Sequence, residues 1–81
     1  MTRKEIEEKV NGFLIEDLEI EEENIYPESR LKDDMGIDSL DYVDIVVMVE
    51  KSFGFKITNP ADLTNVITLT DFYDYLESKL A

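Results

Sequence analysis

The chain contains no histidine and no cysteine, and only eight of its 81 residues are basic. Without histidine, a serine has no general base of the usual kind, so serine catalysis of the triad type is excluded. Zinc sites built from histidine or cysteine are excluded as well. Because Gly36 and Gly54 are isolated, the chain also lacks a glycine-rich loop that could cradle a phosphate.

The remaining candidates for catalysis and metal binding also fail. Lys51 follows Ser39 by twelve positions, which is too far along a helix for contact. Asp33 and Asp34 precede Gly36 without the alternating ligands of a calcium loop.

No run approaches the ~20 apolar residues of a membrane span, and the charged N-terminus lacks an apolar signal region. We therefore expect a cytoplasmic, non-enzymatic protein whose residues 1–81 form a single domain.

The charge is one-sided. Twenty acidic residues against eight basic ones give a net charge of −12. Such a charge repels phosphate backbones and anionic membranes, so nucleic acid is not an expected partner. It favours proteins with positive patches, which would be found quickly through long-range attraction. The charge equally serves to keep a small protein soluble, and composition alone does not separate the two effects.

Helical periodicity and capping residues predict a helix near each end of the chain. The first helix is predicted over about residues 2–18, with Thr2 and Glu5 at capping-box spacing. The last is predicted over about residues 70–80, capped by Thr68 or Thr70. The apolar stripes of these two helices are Ile6, Val10, Phe13, Leu14 and Leu18, and Leu69, Phe72, Tyr73, Leu76 and Leu80.

The middle of the chain predicts a loop and two further helices. Residues 19–37 carry an acidic run and Pro27, and indicate a long loop that Ile20, Ile25, Tyr26 and Leu31 could pin to the core. A helix is predicted from residue 38 or 39 to about 53, and a short one over residues 59–63. The expected fold is all-α: a small four-helix bundle of three main helices plus one short helix.

The second predicted helix begins at the segment Asp38-Ser39-Leu40. Asp38 is a good N-cap candidate, Asp41 falls where a capping-box acid would, and Gly54 is a plausible stop. A serine at the start of a helix without a base is a better substrate for modification than a nucleophile. This segment is the most informative part of the sequence.

At about 100° per residue, the second helix has two apolar faces. The face predicted to meet the core comprises Tyr42, Ile45, Val46, Val49 and Phe53. The second face, here called the outer stripe, comprises Leu40, Val43 and Val47 and lies beside Ser39, bordered by Asp44, Glu50 and Lys51. A surface helix needs only one apolar face. The outer stripe therefore either packs on the long loop or the first helix, or docks onto other proteins.

Residues 34–41, Asp-Met-Gly-Ile-Asp-Ser-Leu-Asp, resemble the prosthetic-group attachment site of free-standing acyl carrier proteins. The resemblance covers nearly the whole chain and is strongest over residues 31–57. It implies that a phosphopantetheinyl transferase joins 4′-phosphopantetheine from coenzyme A to Ser39, with support from Asp38. The arm would carry acyl groups as thioesters, so the carrier needs no cysteine of its own.

The resemblance also implies a monomer that meets acyl-transferring and ketosynthase-type enzymes through their basic patches. The matching positions are Leu40, Val43 and Val47 for apolar contacts, and Asp41, Asp44 and Glu50 for charged ones. A helical bundle can also part to shelter an acyl chain against residues such as Ile45, Val46, Val49 and Phe53. Tyr42 could crowd such a shelter, or simply fill the core.

Three alternatives stay open. Lys51, Ser52 and the less acidic residues 59–61 depart from many fatty-acid carriers, so the pathway is fatty-acid biosynthesis or a related polyketide or specialised-lipid pathway. A peptidyl carrier is a variant of the same hypothesis, less favoured by the acidity and by the Asp-Ser-Leu triplet. An acidic helical interaction module without a prosthetic group would explain the charge but not a serine at a helix start.

Overall fold

The structure, a computed structural model, describes residues 2–57, 63 and 65–80. Its helices are α1 (Arg3–Glu16), α2 (Ser39–Phe53) and α3 (Leu69–Leu80), with a 3₁₀ turn at Glu22–Asn24 between α1 and α2. The expectation of a small all-helical bundle with a long first loop is confirmed. The short helix predicted over residues 59–63 lies outside the described residues, apart from Leu63, whose side chain is buried.

Capping boxes define where α1 and α3 begin. At α1, the Glu5 N–H donates to Thr2 Oγ1 at 3.2 Å, and the Thr2 N–H donates to Glu5 Oε1 at 3.1 Å. At α3, the Asp71 N–H donates to Thr68 Oγ1 at 3.2 Å, and the Thr68 N–H donates to Asp71 Oδ2 at 3.1 Å. Thr68 is therefore the cap of α3, and Thr70 is not.

The core is formed by one face of each helix together with residues from the connections. Phe13 of α1 and Phe72 of α3 meet edge to face with their ring centroids 6.4 Å apart, a favourable aromatic geometry. Helix α1 ends at Glu16, two residues earlier than predicted, and Glu19 beyond it adopts a left-handed φ of 55°. Leu18 nevertheless packs against the core from beyond the helix end. The buried apolar residues of the helices are Ile6, Val10, Phe13, Leu14, Ile45, Val49, Phe53, Leu69, Phe72, Tyr73 and Leu76.

The long loop is held by backbone pairing with the segment that leads into α3. The Leu31 N–H donates to the Ile67 carbonyl at 2.9 Å, and the Leu69 N–H donates to the Ser29 carbonyl at 2.9 Å. Arg30 and Thr68 form an antiparallel bridge between these bonds. The pairing therefore fixes a loop that its sequence marks only as polar and acidic.

The predicted side-chain anchors of the loop are only partly correct. Leu31 is buried, and Ile20 and Ile25 pack against the core. Tyr26 is exposed, so its prediction as an anchor is wrong. The backbone carbonyl of Tyr26 instead accepts a 2.9 Å hydrogen bond from the Ser29 N–H, which makes this residue part of a turn.

Arg3 ties the start of α1 to α3. Its Nη1 donates to Asp74 Oδ1 at 2.7 Å and to Glu77 Oε2 at 2.8 Å, and its guanidinium lies 5.3 Å from the centre of the Tyr73 ring. The hydrogen bonds to Glu77 and Asp74 raise the pKa of Arg3. Arg3 Nε also donates to Glu7 Oε2 of α1 at 3.3 Å. In a chain of net charge −12, this cation therefore relieves repulsion between carboxylates of α1 and α3.

The box at α3 generates a pH-dependent prediction. The backbone N–H of Thr68, with a smaller effect from that of Ile67, holds the pKa of Asp71 below its ordinary value of 3.8. Because the folded-state pKa is depressed, this stabilisation is complete above the unfolded pKa and is lost as pH falls through the folded one. Asp71→Asn should therefore lower the free energy of unfolding at about pH 7, with a smaller effect at about pH 2.

Urea denaturation at both pH values measures this difference. Glu28→Gln is the matched control, because it removes the same charge at an exposed loop position. An effect of Asp71→Asn that is equally large at both pH values would show that the carboxylate charge does not stabilise the cap.

Candidate functional site

The turn before α2 is held in place by a backbone hydrogen bond and by two buried side chains. Gly36 adopts a left-handed φ of 72°, a conformation that glycine accepts without strain. The Ile37 N–H donates to the Leu31 carbonyl at 2.9 Å, and the side chains of Met35 and Ile37 are buried. The chain is therefore fixed immediately before the segment Asp38-Ser39-Leu40.

A capping box begins α2 at Ser39. Asp38 Oδ1 accepts hydrogen bonds from the N–H groups of Leu40 at 2.9 Å and Asp41 at 3.2 Å. The Asp41 carboxylate in turn accepts from the Asp38 N–H at 3.2 Å. The predicted cap is thus confirmed, and Ser39 is the first residue of the helix. Asp41, also predicted to meet partners, is only partly exposed and participates in the box.

The two faces of α2 differ as the helical projection predicts. Ile45, Val49 and Phe53 are buried, and Tyr42 and Val46 pack against the core while remaining partly exposed. The far end of the helix is fixed too. Gly54 takes a left-handed φ of 78°, and Lys9 Nζ of α1 donates to the Ser52 carbonyl at 3.0 Å.

The outer stripe is largely uncovered. Leu40, Val43 and Val47 are 77%, 63% and 42% exposed, respectively. The long loop and α1 therefore leave most of the stripe open, although Val47 borders a groove that also involves Leu18. Asp44 and Glu50, on either side of the stripe, are exposed. The result is an apolar strip about 10 Å long with carboxylates on its borders.

A cavity of about 170 Å³ lies beside the first turn of α2. Tyr42, one helical turn after Ser39, forms one wall, and burial raises its pKa. The other described lining residues come from the long loop and from the segment before α3: Arg30, Lys32, Asp33, Val66 and Ile67.

The sequence did not predict this cavity. The residues expected to shelter an acyl chain were Ile45, Val46, Val49 and Phe53, and none of them lines it. Its walls come from the long loop, from α2 and from residues 66–67, and the backbone pairing of residues 29–31 with 67–69 brings the first and the last of these together. Of the described lining residues, the sequence analysis links only Tyr42 to a shelter for an acyl chain, and no local pattern marks Lys32 or Val66.

Together, these features define a small acidic helical protein with a serine at a capped helix start and an exposed apolar strip next to it. A family model described as a phosphopantetheine attachment site matches residues 8–76. The chain is 42% identical over 79 residues to the acyl carrier protein of Thermotoga maritima, covering 98% of this chain and 96% of that protein. It is 38% identical over 80 residues to the acyl carrier protein of Coprothermobacter proteolyticus, covering 99% and 96%.

The chain belongs to the acyl carrier protein family. It is a carrier that depends on 4′-phosphopantetheine, and it is not an enzyme. Membership implies interaction with a phosphopantetheinyl transferase and with enzymes that handle acyl groups. The start of α2 fits the group, because Asp38 and Leu40 on either side of Ser39 are exposed and leave the segment accessible. Within the described ranges, no helix is long and apolar enough to cross a membrane.

The Asp38 cap of α2 allows a prediction that separates the effect of its hydrogen bonds from the effect of its charge. Asp38→Ala removes two hydrogen bonds at the helix start and should lower the free energy of unfolding by about 1 kcal/mol. Asp38→Asn keeps a side-chain oxygen that can accept these hydrogen bonds. It should therefore lower the free energy of unfolding much less, because Asn and Asp are about equally good N-caps.

Urea denaturation of both variants checks this, with Asp44→Ala as the control at an exposed position of the same helix. If Asp38→Ala is no less stable than Asp44→Ala, the capping box does not contribute to the stability of α2.

Proposed function

We propose that Ser39 carries the 4′-phosphopantetheine arm of a single carrier domain formed by residues 1–81, and that this domain works in the cytoplasm. The position of Ser39 as the first residue of a capped, accessible helix supports the assignment. The other three serines are less suitable. Ser29 is fully buried, Ser52 is partly covered in the last turn of α2, and the Ser78 hydroxyl donates to the Tyr75 carbonyl at 2.7 Å.

The attachment reaction needs little from the carrier beyond a fixed serine. A transferase with a divalent metal would form the bond between the Ser39 oxygen and the arm's phosphate, with release of the adenosine bisphosphate part of coenzyme A. Asp38 holds the serine-bearing backbone in place through the N–H groups of Leu40 and Asp41. When bound, the arm supplies a thiol that holds an acyl group as a thioester.

We propose that the outer stripe docks the enzymes that load, extend and unload the arm. An apolar centre with a charged border is the usual anatomy of a transient interface. The net charge of −12 would speed encounters with basic surfaces, and the small apolar area would permit rapid release. Leu40, Val43 and Val47 are the proposed apolar contacts, and Asp41, Asp44 and Glu50 the proposed charged contacts.

The proposed process is the synthesis of fatty acids or of related polyketides or specialised lipids. Both relatives described above are named acyl carrier proteins, which supports an acyl cargo over an aminoacyl one. The acidic face around α2 suits ketosynthase-type and acyl-transferring partners with basic patches.

The attachment site can be tested by intact mass. After incubation with coenzyme A, magnesium and a broad-specificity phosphopantetheinyl transferase, the wild-type chain should gain one phosphopantetheine group. Ser39→Ala should gain none, because it lacks the acceptor oxygen, and Ser78→Ala should react as the wild type does.

Modification of Ser39→Ala would overturn the assignment of the residue. No modification of a folded wild-type chain by several transferases, alongside a reactive control carrier, would favour the acidic interaction module.

The docking surface can be tested through the kinetics of the same transfer. Leu40→Ala and Val43→Ala should each lower kcat/KM by roughly tenfold, because each truncates an exposed apolar contact of the proposed interface. Their melting temperatures should change little, since neither side chain is buried.

Ile15→Ala is the matched control, because Ile15 is an exposed apolar residue on α1. Equal effects of all three substitutions on kcat/KM would contradict a docking role specific to the outer stripe.

A further inference from the structure

The outer stripe ends in a positive charge. Lys51 is the single basic residue in the sequence of α2. It follows Val47, the last residue of the stripe, by four positions, so it lies one turn further along the same side of the helix. Both residues are exposed. The stripe therefore runs from Leu40, next to Ser39, to a lysine whose position lies about 18 Å from that of Ser39 along the helix axis.

A second ammonium group lies at the same end of α2. Lys9 Nζ of α1 donates to the Ser52 carbonyl at 3.0 Å and lies 5.6 Å from the centre of the Phe53 ring. These contacts hold Lys9 against the last turn of α2, where the carbonyl groups of a helix favour positive charge. Lys9 and Lys51 line the same groove between α1 and α2. The far end of the outer stripe is therefore flanked by two cations.

Carboxylates surround this pair of lysines without forming ion pairs with it. Glu8, Glu16 and Asp17 line the same groove as Lys9 and Lys51. Within the residues that the structure describes, neither lysine lies in an ion pair with a carboxylate. Lys51 is also exposed, so its charge is open to a partner that brings an acidic side chain.

The charges nearer to Ser39 have the opposite sign. Asp38 and Asp44 are exposed in the first half of the docking surface. Glu50 precedes Lys51 but lies about 100° away around the helix, on the other border of the stripe. The border that faces α1 thus changes from negative near the serine to positive at its far end. An enzyme that is basic over its whole docking surface would place like charges opposite each other at Lys51, which weakens binding.

We propose that Lys51 pairs with a carboxylate of the enzyme that docks on the outer stripe, and that this pair determines which enzymes the carrier accepts. The partner that fits is an acyl-handling enzyme with basic side chains near the entrance that receives the arm and an acidic side chain about 18 Å from that entrance. The proposal rests on the proposed attachment at Ser39 and on the proposed docking role of the outer stripe. The reversal of charge also fixes the direction in which α2 lies on the enzyme.

The first test uses a broad-specificity phosphopantetheinyl transferase whose carrier-binding surface is basic throughout. The kcat/KM of transfer from coenzyme A is measured for each carrier variant, and intact mass identifies the product. Lys51→Glu should raise kcat/KM by roughly fivefold at low ionic strength, because it replaces a repulsive contact with an attractive one. The increase should be much smaller in about 0.5 M sodium chloride, which screens exposed charges.

Lys4→Glu is the matched control. Lys4 is an exposed lysine on α1, and its substitution changes the net charge by the same amount as Lys51→Glu does. It strengthens only the long-range attraction to a basic enzyme, so kcat/KM should rise by roughly twofold at most. Equal increases for the two variants would overturn the proposal, because net charge alone would then explain both.

A carboxylate placed in the enzyme tests the pairing directly. Each lysine and arginine of the transferase's carrier-binding surface is replaced singly by glutamate. One of these enzyme variants should prefer the wild-type carrier to Lys51→Glu by roughly fivefold, which reverses the order found with the parent enzyme. If no variant reverses that order, Lys51 has no charged counterpart in the complex and the proposal is wrong.

A measurement of stability separates docking from a role inside the fold. If Lys51 served only to offset repulsion among the carboxylates of the groove, Lys51→Gln would lower the melting temperature at low ionic strength and leave kcat/KM unchanged. That result would overturn the proposal. We expect instead a melting temperature within about 3 °C of the wild type, because Lys51 is exposed and forms no ion pair with a described residue.

Leu40→Ala and Val43→Ala distinguish failure of this proposal from failure of the docking surface. If both lower kcat/KM while Lys51→Glu behaves as Lys4→Glu does, the charge pairing alone is refuted. If neither lowers kcat/KM, the docking role of the outer stripe is refuted and the role of Lys51 with it. A chain that accepts no arm would be recognised by its mass, and that result would refute the attachment at Ser39 and the proposals that rest on it.

Discussion

The pairing of the long loop with the segment before α3 is the constraint on which the rest of the structure depends. Three backbone hydrogen bonds hold the loop in place: the N–H groups of Leu31, Leu69 and Thr70 donate to the carbonyls of Ile67, Ser29 and Pro27, respectively. The turn that leads into α2 then follows from Leu31, whose carbonyl accepts the Ile37 N–H. The start of the serine-bearing helix and both sides of the cavity are thus positioned by backbone hydrogen bonds between the long loop and the residues around the start of α3.

The acidic charge is compensated between α1 and α3 but left uncompensated beside the outer stripe. Arg3 is placed where carboxylates of α1 and α3 converge, and its contacts with Asp74 and Glu77 relieve a repulsion that the small core would otherwise have to offset. Within the described part of the chain, the exposed carboxylates beside the outer stripe, Asp44 and Glu50, form no ion pair. The excess negative charge is therefore left on the surface proposed to meet basic partners.

Local features of the structure could be predicted, whereas features built from distant segments could not. The starts of all three helices follow from capping boxes whose members are three residues apart, such as Asp38 and Asp41. The core faces follow from helical periodicity, and the resemblance of residues 34–41 predicts Ser39 as the attachment residue, which is the assignment proposed above. No side-chain pattern in the sequence predicts the backbone pairing of the loop or the 3₁₀ turn. None predicts the exposure of Tyr26 either. The cavity was missed for the same reason, because its walls meet only in the folded chain.

The backbone pairing of the loop also has a consequence for the order in which the protein folds. Its partners, residues 29–31 and 67–69, enclose the whole of α2 in the chain. On a ribosome, the helix can form early from its own caps, but the turn before it stays unsupported until residue 69 has emerged. An enzyme that recognises the fixed turn at Ser39 would therefore act on nearly complete chains, and nascent fragments ending within α2 would be poor substrates.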